Sequence, residues 1–93
     1  MTKSIKYVSS NGYETTTKAS QEIIPQSPST WSYGYNFKKF SFLNKTNCTV
    51  IINGISTLHL IGEIGFEIDR TDEPIESFVI VESGTEYYWI GGL

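Results

Sequence analysis

A chain of 93 residues, 39% of them hydrophobic and 18% charged, has the composition of one globular domain rather than of a disordered segment. Its net charge of −3 and its isoelectric point near 5.0 argue against a nucleic-acid partner. The single cysteine excludes an intramolecular disulfide and a cysteine-rich metal site. No apolar run suits a signal peptide or a membrane span, so we expect neither export by that route nor contact with a membrane.

The N-terminal third of the chain predicts two short strands and an arm. Alanine occurs once, whereas threonine, isoleucine and aromatic residues are frequent, so strands are favoured over helices. Residues 5–8 and 13–18 are the first strand candidates. Residues 19–30 contain Pro25 and Pro28 among serine and glutamine. Because proline lacks the N–H that a sheet ladder needs, this segment is predicted to be a flexible extended loop or arm.

Aromatic residues then occupy every second position of residues 31–37, which is the period of one face of a β-strand. Beyond the lysine pair at 38 and 39 the alternation resumes one residue out of phase. A β-bulge near the lysines would accommodate this slip. A strand with one aromatic face is therefore predicted, formed by Trp31, Tyr33, Tyr35 and Phe37.

The centre of the sequence predicts a β-hairpin around Asn53-Gly54. Residues 48–52 and 55–60 on either side are rich in β-branched residues. Asn and Gly both tolerate the positive φ of a two-residue type I′ turn, whose twist matches that of the flanking strands. We expect this hairpin to contribute Val50, Ile52, Ile55 and Leu58 to the core.

The remaining residues predict three further strands. Residues 64–68 and 75–82 are strand candidates separated by a loop, and residues 85–90 form a last strand with apolar residues on both faces. Such a strand is either sandwiched within the domain or covered by a neighbouring chain. Short strands at this spacing predict a single all-β domain over residues 1–93, an antiparallel β-sandwich or small barrel.

The charged residues are unevenly distributed. Six lysines and two carboxylates lie in residues 1–45, whereas eight carboxylates and one arginine lie in residues 46–93. In a sandwich the two halves interleave, so the asymmetry is expected to appear only as solvated strand faces. The alternative is a subunit with one basic and one acidic edge, suited to head-to-tail assembly.

No residue pattern indicates catalysis or a cofactor. Four carboxylates within residues 69–76 could offer oxygen ligands to calcium, but their spacing lacks the EF-hand signature, and we expect no bound metal. The lone His59 is interpreted as a strand residue and Cys48 as a small buried hydrophobe. A small enzyme would need a nucleophile, base or metal constellation that this sequence does not display.

Four segments occur in a suggestive order: an aromatic–Leu–Asn triplet at 42–44, a strand into an Asn-Gly turn at 49–54, Ile-Glu-Ser-Phe-Val-Ile-Val at 75–81, and an aromatic strand ending in glycine at 87–91. In this order they resemble small virion proteins of tailed bacteriophages, over residues 39–93. The resemblance implies a non-enzymatic structural subunit of the capsid-accessory, neck, or tail and baseplate type. Such a subunit is assembled in the host cytoplasm and is present in several copies in the virion.

The expected partners are copies of the same chain or other virion proteins, in a homo-oligomer or a multi-copy array. The alternative is a carbohydrate- or receptor-binding β-sandwich module that uses exposed aromatic residues. Large aromatic side chains often anchor interfaces because they bury much area at small entropic cost. Subunit contacts are therefore predicted at Trp31, Tyr33, Tyr87, Tyr88, Trp89 and Ile90.

Overall fold

The computed structural model describes residues 7–69 and 71–93, and no helix occurs in this part of the chain. Residues 5 and 6 of the first predicted strand lie outside it. The described residues form nine strands: β1 (Tyr7–Ser9), β2 (Glu14–Thr15), β3 (Gln21–Glu22), β4 (Lys39–Asn44), β5 (Cys48–Ile52), β6 (Ser56–Leu60), β7 (Phe66–Ile68), β8 (Phe78–Ile80) and β9 (Glu86–Gly92).

Two antiparallel sheets pack face to face, which confirms the predicted all-β sandwich. Sheet A has the strand order β1-β9-β4-β7, with β2 also paired to β9. Sheet B has the order β3-β8-β5-β6. The chain therefore crosses between the sheets several times, and strands from its two ends meet in each sheet.

The apolar last strand, β9, lies in the interior of sheet A. It pairs with β1 and β2 on one side and with β4 on the other. Tyr87 and Trp89, each 2% exposed, point into the core, whereas Tyr88 is half-buried and Ile90 exposed on the outer face. The backbone of β9 is therefore paired on both sides, and one of its two apolar faces is covered by the core.

The core between the sheets is largely aromatic. Phe42 of β4 and Phe78 of β8 lie 4.6 Å apart between ring centroids, and Phe40 lies 5.1 Å from Phe78 and 5.5 Å from Trp89. Aromatic rings at these separations attract each other beyond the effect of area burial. A few large rings thus supply the core volume of a small domain.

The turn between β5 and β6 has the predicted type I′ conformation, with φ of 54° at Asn53 and 69° at Gly54. The Ile55 N–H donates to the Ile52 carbonyl oxygen at 3.0 Å. Ile52 then pairs with Ser56 rather than with Ile55. The loop therefore contains one residue more than the predicted two-residue turn.

This extra residue changes the predicted core. Ile55 is 85% exposed, so its predicted place in the core is wrong. Val50 is fully buried, and Ile52 and Leu58 are partly buried against the core, as predicted. A one-residue change of register moves a side chain to the other face of a strand. An error of one residue in the predicted loop length therefore misplaces Ile55.

The aromatic segment 31–37 does not form the predicted strand. In the described structure only Phe37 pairs, in an isolated bridge with Ile75. The alternate rings instead contact one another along a strand-free segment. Trp31 meets Tyr35 edge to face at a centroid separation of 5.4 Å, and Tyr35 stacks on Phe37 at 5.3 Å. Alternation shows only that these side chains lie on one side of an extended chain. Rings at this spacing can contact one another even where the chain does not join a sheet.

The predicted one-residue shift in the alternation of apolar and polar residues is present after Phe37. Phe37 and Phe40 are both buried, with exposed Lys38 and Lys39 between them. The Lys38 N–H donates to the Gly92 carbonyl oxygen at 2.8 Å, and Lys39 is the register partner of the same glycine. Two residues against one is the arrangement of the predicted β-bulge.

The segment 19–30 is only partly the predicted loop. It contains β3, which pairs with β8, and Ile23 is buried in the core. The prediction of a loop or arm is therefore wrong for residues 21–23. Residues 24–30 carry no strand, and both Pro25 and Pro28 lie there, beyond the last paired residue.

The turn predicts a specific sensitivity to substitution. Gly54→Val should lower the free energy of unfolding by about 1–3 kcal/mol, because a β-branched residue is strained at positive φ. Gly34→Val is the matched control, since an added Cβ there meets nothing within 4 Å and its φ is not in the left-handed region. Urea unfolding of both variants checks this, and equal stabilities would contradict it.

Candidate functional site

Four of the residues predicted to form subunit contacts lie on β9 and are divided by the sheet. Tyr87 and Trp89 are part of the core and present almost no surface to a partner. Tyr88 and Ile90 lie on the outer face of sheet A. The surface available for the predicted contact on this strand is therefore reduced to Tyr88 and Ile90.

The other two predicted contact residues lie in the strand-free segment. The rings of Trp31 and Tyr33 stack with a centroid separation of 5.4 Å and an interplanar angle of 28°. The Tyr33 side chain is 68% exposed, and its backbone carbonyl accepts a hydrogen bond from Ser27 Oγ at 2.7 Å. This pair is a second apolar surface, formed by an exposed ring supported by a half-buried one.

Cys48 and His59 lie on neighbouring strands but on opposite faces of sheet B. The Cys48 side chain is part of the core, and burial, with a smaller effect of the Glu82 charge, raises the pKa of its thiol to about 11. His59 is exposed, with Nδ1 3.3 Å from the Thr49 hydroxyl oxygen. The thiol is therefore protonated at neutral pH and does not face the imidazole as a nucleophile faces its base.

Asp69 and Asp72 accept hydrogen bonds from residues of their own loop. Asp69 Oδ1 accepts hydrogen bonds from the N–H and the hydroxyl of Thr71, at 2.9 and 2.7 Å. Asp72 Oδ2 accepts one from the Asp69 N–H at 3.1 Å. Over residues 7–69 and 71–93, no three acidic, histidine or cysteine side chains are grouped to hold a metal ion. These side chains shape the loop before β8.

A groove of about 710 Å³ lies between β6 and β7. β6 is the last strand of sheet B and β7 the last strand of sheet A, so the groove is flanked by two sheet edges. We call it the edge groove. Seven apolar residues line it: Ile52, Ile55, Leu58, Phe66, Ile68, Pro74 and Ile75.

The charged side chains that line the edge groove are all carboxylates among the described residues: Glu67, Asp72, Glu73 and Glu76. Lys3, Lys6 and Arg70 are the basic side chains that lie outside the described residues. The four carboxylates outnumber these three bases. The groove therefore combines an apolar lining with a negative rim.

The side-chain amide of Asn53 connects the hairpin turn to the chain that leads into β8. Its Oδ1 accepts hydrogen bonds from the N–H groups of Glu76 and Ser77, at 2.7 and 3.1 Å, and its Nδ2 donates to the Pro74 carbonyl oxygen at 2.9 Å. The Asn53 N–H also donates to the Ser77 carbonyl oxygen at 2.9 Å. We call these four bonds the Asn53 clamp. They hold the hairpin turn against residues 74–77, and both line the edge groove.

Sequence reasoning missed this groove. It identified Asn53 as a turn residue and considered the acids of residues 69–76 only as ligands for calcium, and it had no signal that the two would meet. The acids come from two separate stretches, Glu67 in β7 and the loop before β8. Only the pairing order of the strands brings them beside the hairpin.

Comparison of the chain with protein-family models, with curated proteins and with solved structures gives no match. Over the described residues, the structure has no helix with the length and apolar character needed to span a membrane. The sandwich, its surfaces and the resemblance of residues 39–93 are therefore the features that bear on function.

The Asn53 clamp predicts that the stability of the fold depends more on the Asn53 side chain than on its positive φ. Asn53→Gly keeps the positive φ but removes three side-chain hydrogen bonds, so the free energy of unfolding should fall by about 2 kcal/mol. Asn36→Gly is the control, because Asn36 is exposed and its side chain makes no hydrogen bond with the described residues. Urea unfolding that leaves Asn53→Gly as stable as Asn36→Gly would disprove the clamp.

The buried thiol predicts a loss of stability at alkaline pH. The pKa of Cys48 is raised in the folded state from 9.0 to about 11, so the stability that the protonated thiol contributes is complete below pH 9 and falls as pH rises toward 11. Urea midpoints measured across this range should therefore decline less steeply for Cys48→Ala than for the unaltered chain. Val50→Ala, a cavity in the same strand without a thiol, should keep the steep decline, and equal slopes for all three would contradict this.

Proposed function

We propose that the protein is a non-enzymatic structural subunit of a tailed bacteriophage particle that acts through contacts with copies of itself or with other virion proteins. The resemblance of residues 39–93 to small virion proteins supports a place in a phage particle. Such a subunit is synthesised and assembled in the host cytoplasm and remains in the virion. The separation of Cys48 from His59 across sheet B supports a role without catalysis.

One observation carries the assembly role: the side of the sandwich that ends in β6 and β7 is open. Among residues 7–69 and 71–93, neither strand has a second neighbour in its sheet, so each leaves backbone groups available for pairing. Ile55, Ile61 and Ile64 lie in the loops at the ends of these strands and are 85%, 66% and 75% exposed. Unpaired edges flanked by exposed isoleucines are typical of a surface that a partner covers.

A carbohydrate- or receptor-binding module is the second candidate, and the stacked pair of Trp31 and Tyr33 favours it. An exposed ring held by a second ring offers a flat apolar face of the kind on which sugar rings stack. This surface carries no charged side chain of its own. The open side of the sandwich has more exposed apolar surface, so assembly is the preferred proposal.

Sedimentation velocity on the purified protein tests the assembly role. The unaltered chain should form oligomers as its concentration rises, or attach to purified phage particles, and Ile64→Asp should abolish this while circular dichroism stays unchanged. Tyr7→Asp is the control, because Tyr7 is 70% exposed on β1, at the opposite end of sheet A from β7, and it should leave assembly unchanged. Ile90→Asp separately tests the predicted contact on β9, and loss of assembly in this variant would support that contact.

Two results would overturn the proposal. The first is a chain that stays monomeric at high concentration and attaches to no particle. The second is a monomer that binds sugars on a glycan array and loses this binding in Tyr33→Ala, which would favour the second candidate.

A further inference from the structure

The edge groove has a lining and a rim with different chemistry. Ile52, Leu58 and Phe66 lie partly buried against the core, and their exposed parts form the floor together with the almost fully exposed Ile55. A groove of about 710 Å³ is large enough for several side chains of a partner but is open along its length. Covering this floor would remove apolar surface from water, which favours an occupant with apolar side chains.

The rim decides the charge of the occupant. The carboxylates of Glu67, Glu73 and Glu76 make no hydrogen bond or ion pair with the described residues, so they are available to a partner. Asp72 adds a fourth negative charge beside them. An anionic partner would be repelled here, whereas lysine or arginine side chains at the edge of the interface would be attracted and oriented.

The flanking strands decide the shape of the occupant. β6 ends sheet B and β7 ends sheet A, and they are not paired with each other. A segment that lies between them in an extended conformation can donate and accept backbone hydrogen bonds along a sheet edge while its alternate side chains point to opposite sides. One set of side chains then meets the apolar floor and the other meets the acidic rim.

From these three features we propose that the edge groove binds an extended segment of a partner protein in which apolar residues alternate with lysine or arginine. The proposal rests on the assembly role inferred above and names the chemistry of the partner at that surface. The Asn53 clamp makes the site preformed, because it holds the hairpin turn and the acidic loop together before a partner arrives.

Fluorescence anisotropy with synthetic peptides tests this on the full chain. A dye-labelled heptapeptide of alternating lysine and isoleucine should bind and should lose affinity as salt is added. A matched peptide with glutamate in place of lysine, and one with serine in place of isoleucine, should each bind at least about tenfold more weakly.

Variants of the chain locate the binding. Glu73→Lys combined with Glu76→Lys should weaken binding of the lysine–isoleucine peptide by at least about tenfold, because two rim charges are reversed. Glu86→Lys, an exposed carboxylate of β9 outside the groove, is the matched control and should change affinity little. Ile55→Ser should also weaken binding while keeping the salt dependence.

The outcomes separate this proposal from the assembly role. Equal binding of the glutamate peptide, or unchanged binding by the rim double variant, would overturn the proposal even if the chain assembles. Absence of peptide binding together with loss of self-association in the rim double variant would assign the groove to a second copy instead, and would also overturn it. Peptide binding by a chain that never assembles or attaches to particles would uphold the groove and remove the assembly role.

Discussion

The Asn53 clamp is the interaction on which the candidate site depends. A type I′ turn needs only positive φ at its two central positions, and glycine would satisfy that at either of them. Asparagine at the first position adds an amide that binds three backbone groups of residues 74–77. Directly after these residues the chain enters β8, which pairs with β5. The Asn53 side chain therefore positions both the hairpin turn and the start of β8.

A second constraint is the close approach of the two chain regions around Phe37. A Cβ added at Gly91 would lie 2.5 Å from the Phe37 ring, so only glycine lets β9 pass beneath that ring. Phe37 in turn contacts Trp89, with ring centroids 5.5 Å apart, and bridges to Ile75. Sheet A, the aromatic segment and the start of the β8 region are therefore connected at one point of the core.

What could be predicted from the sequence was local. The hairpin turn, the bulge at the lysines and the all-β sandwich follow from residue preferences that act over a few positions. The pairing order could not be predicted, and it decides most of what was missed. The apolar faces of the last strand suggested either burial within the domain or an external partner. β9 is central in its sheet, and only the face of Tyr87 and Trp89 is covered by the core. The edge groove likewise exists only because β6 and β7 end their sheets on the same side.

The distribution of charge shows how pairing order changes the meaning of a sequence pattern. The basic N-terminal half and the acidic C-terminal half do not form two separate poles, because β4, which begins at Lys39, lies between β9 and β7 of the acidic half. Interleaving of this kind cancels long-range fields over most of the surface. At the edge groove the cancellation is incomplete, since none of the lysines that the structure describes lines it. Recognition there depends on the local excess of carboxylates beside an apolar floor, and the net charge of the chain has little influence on it.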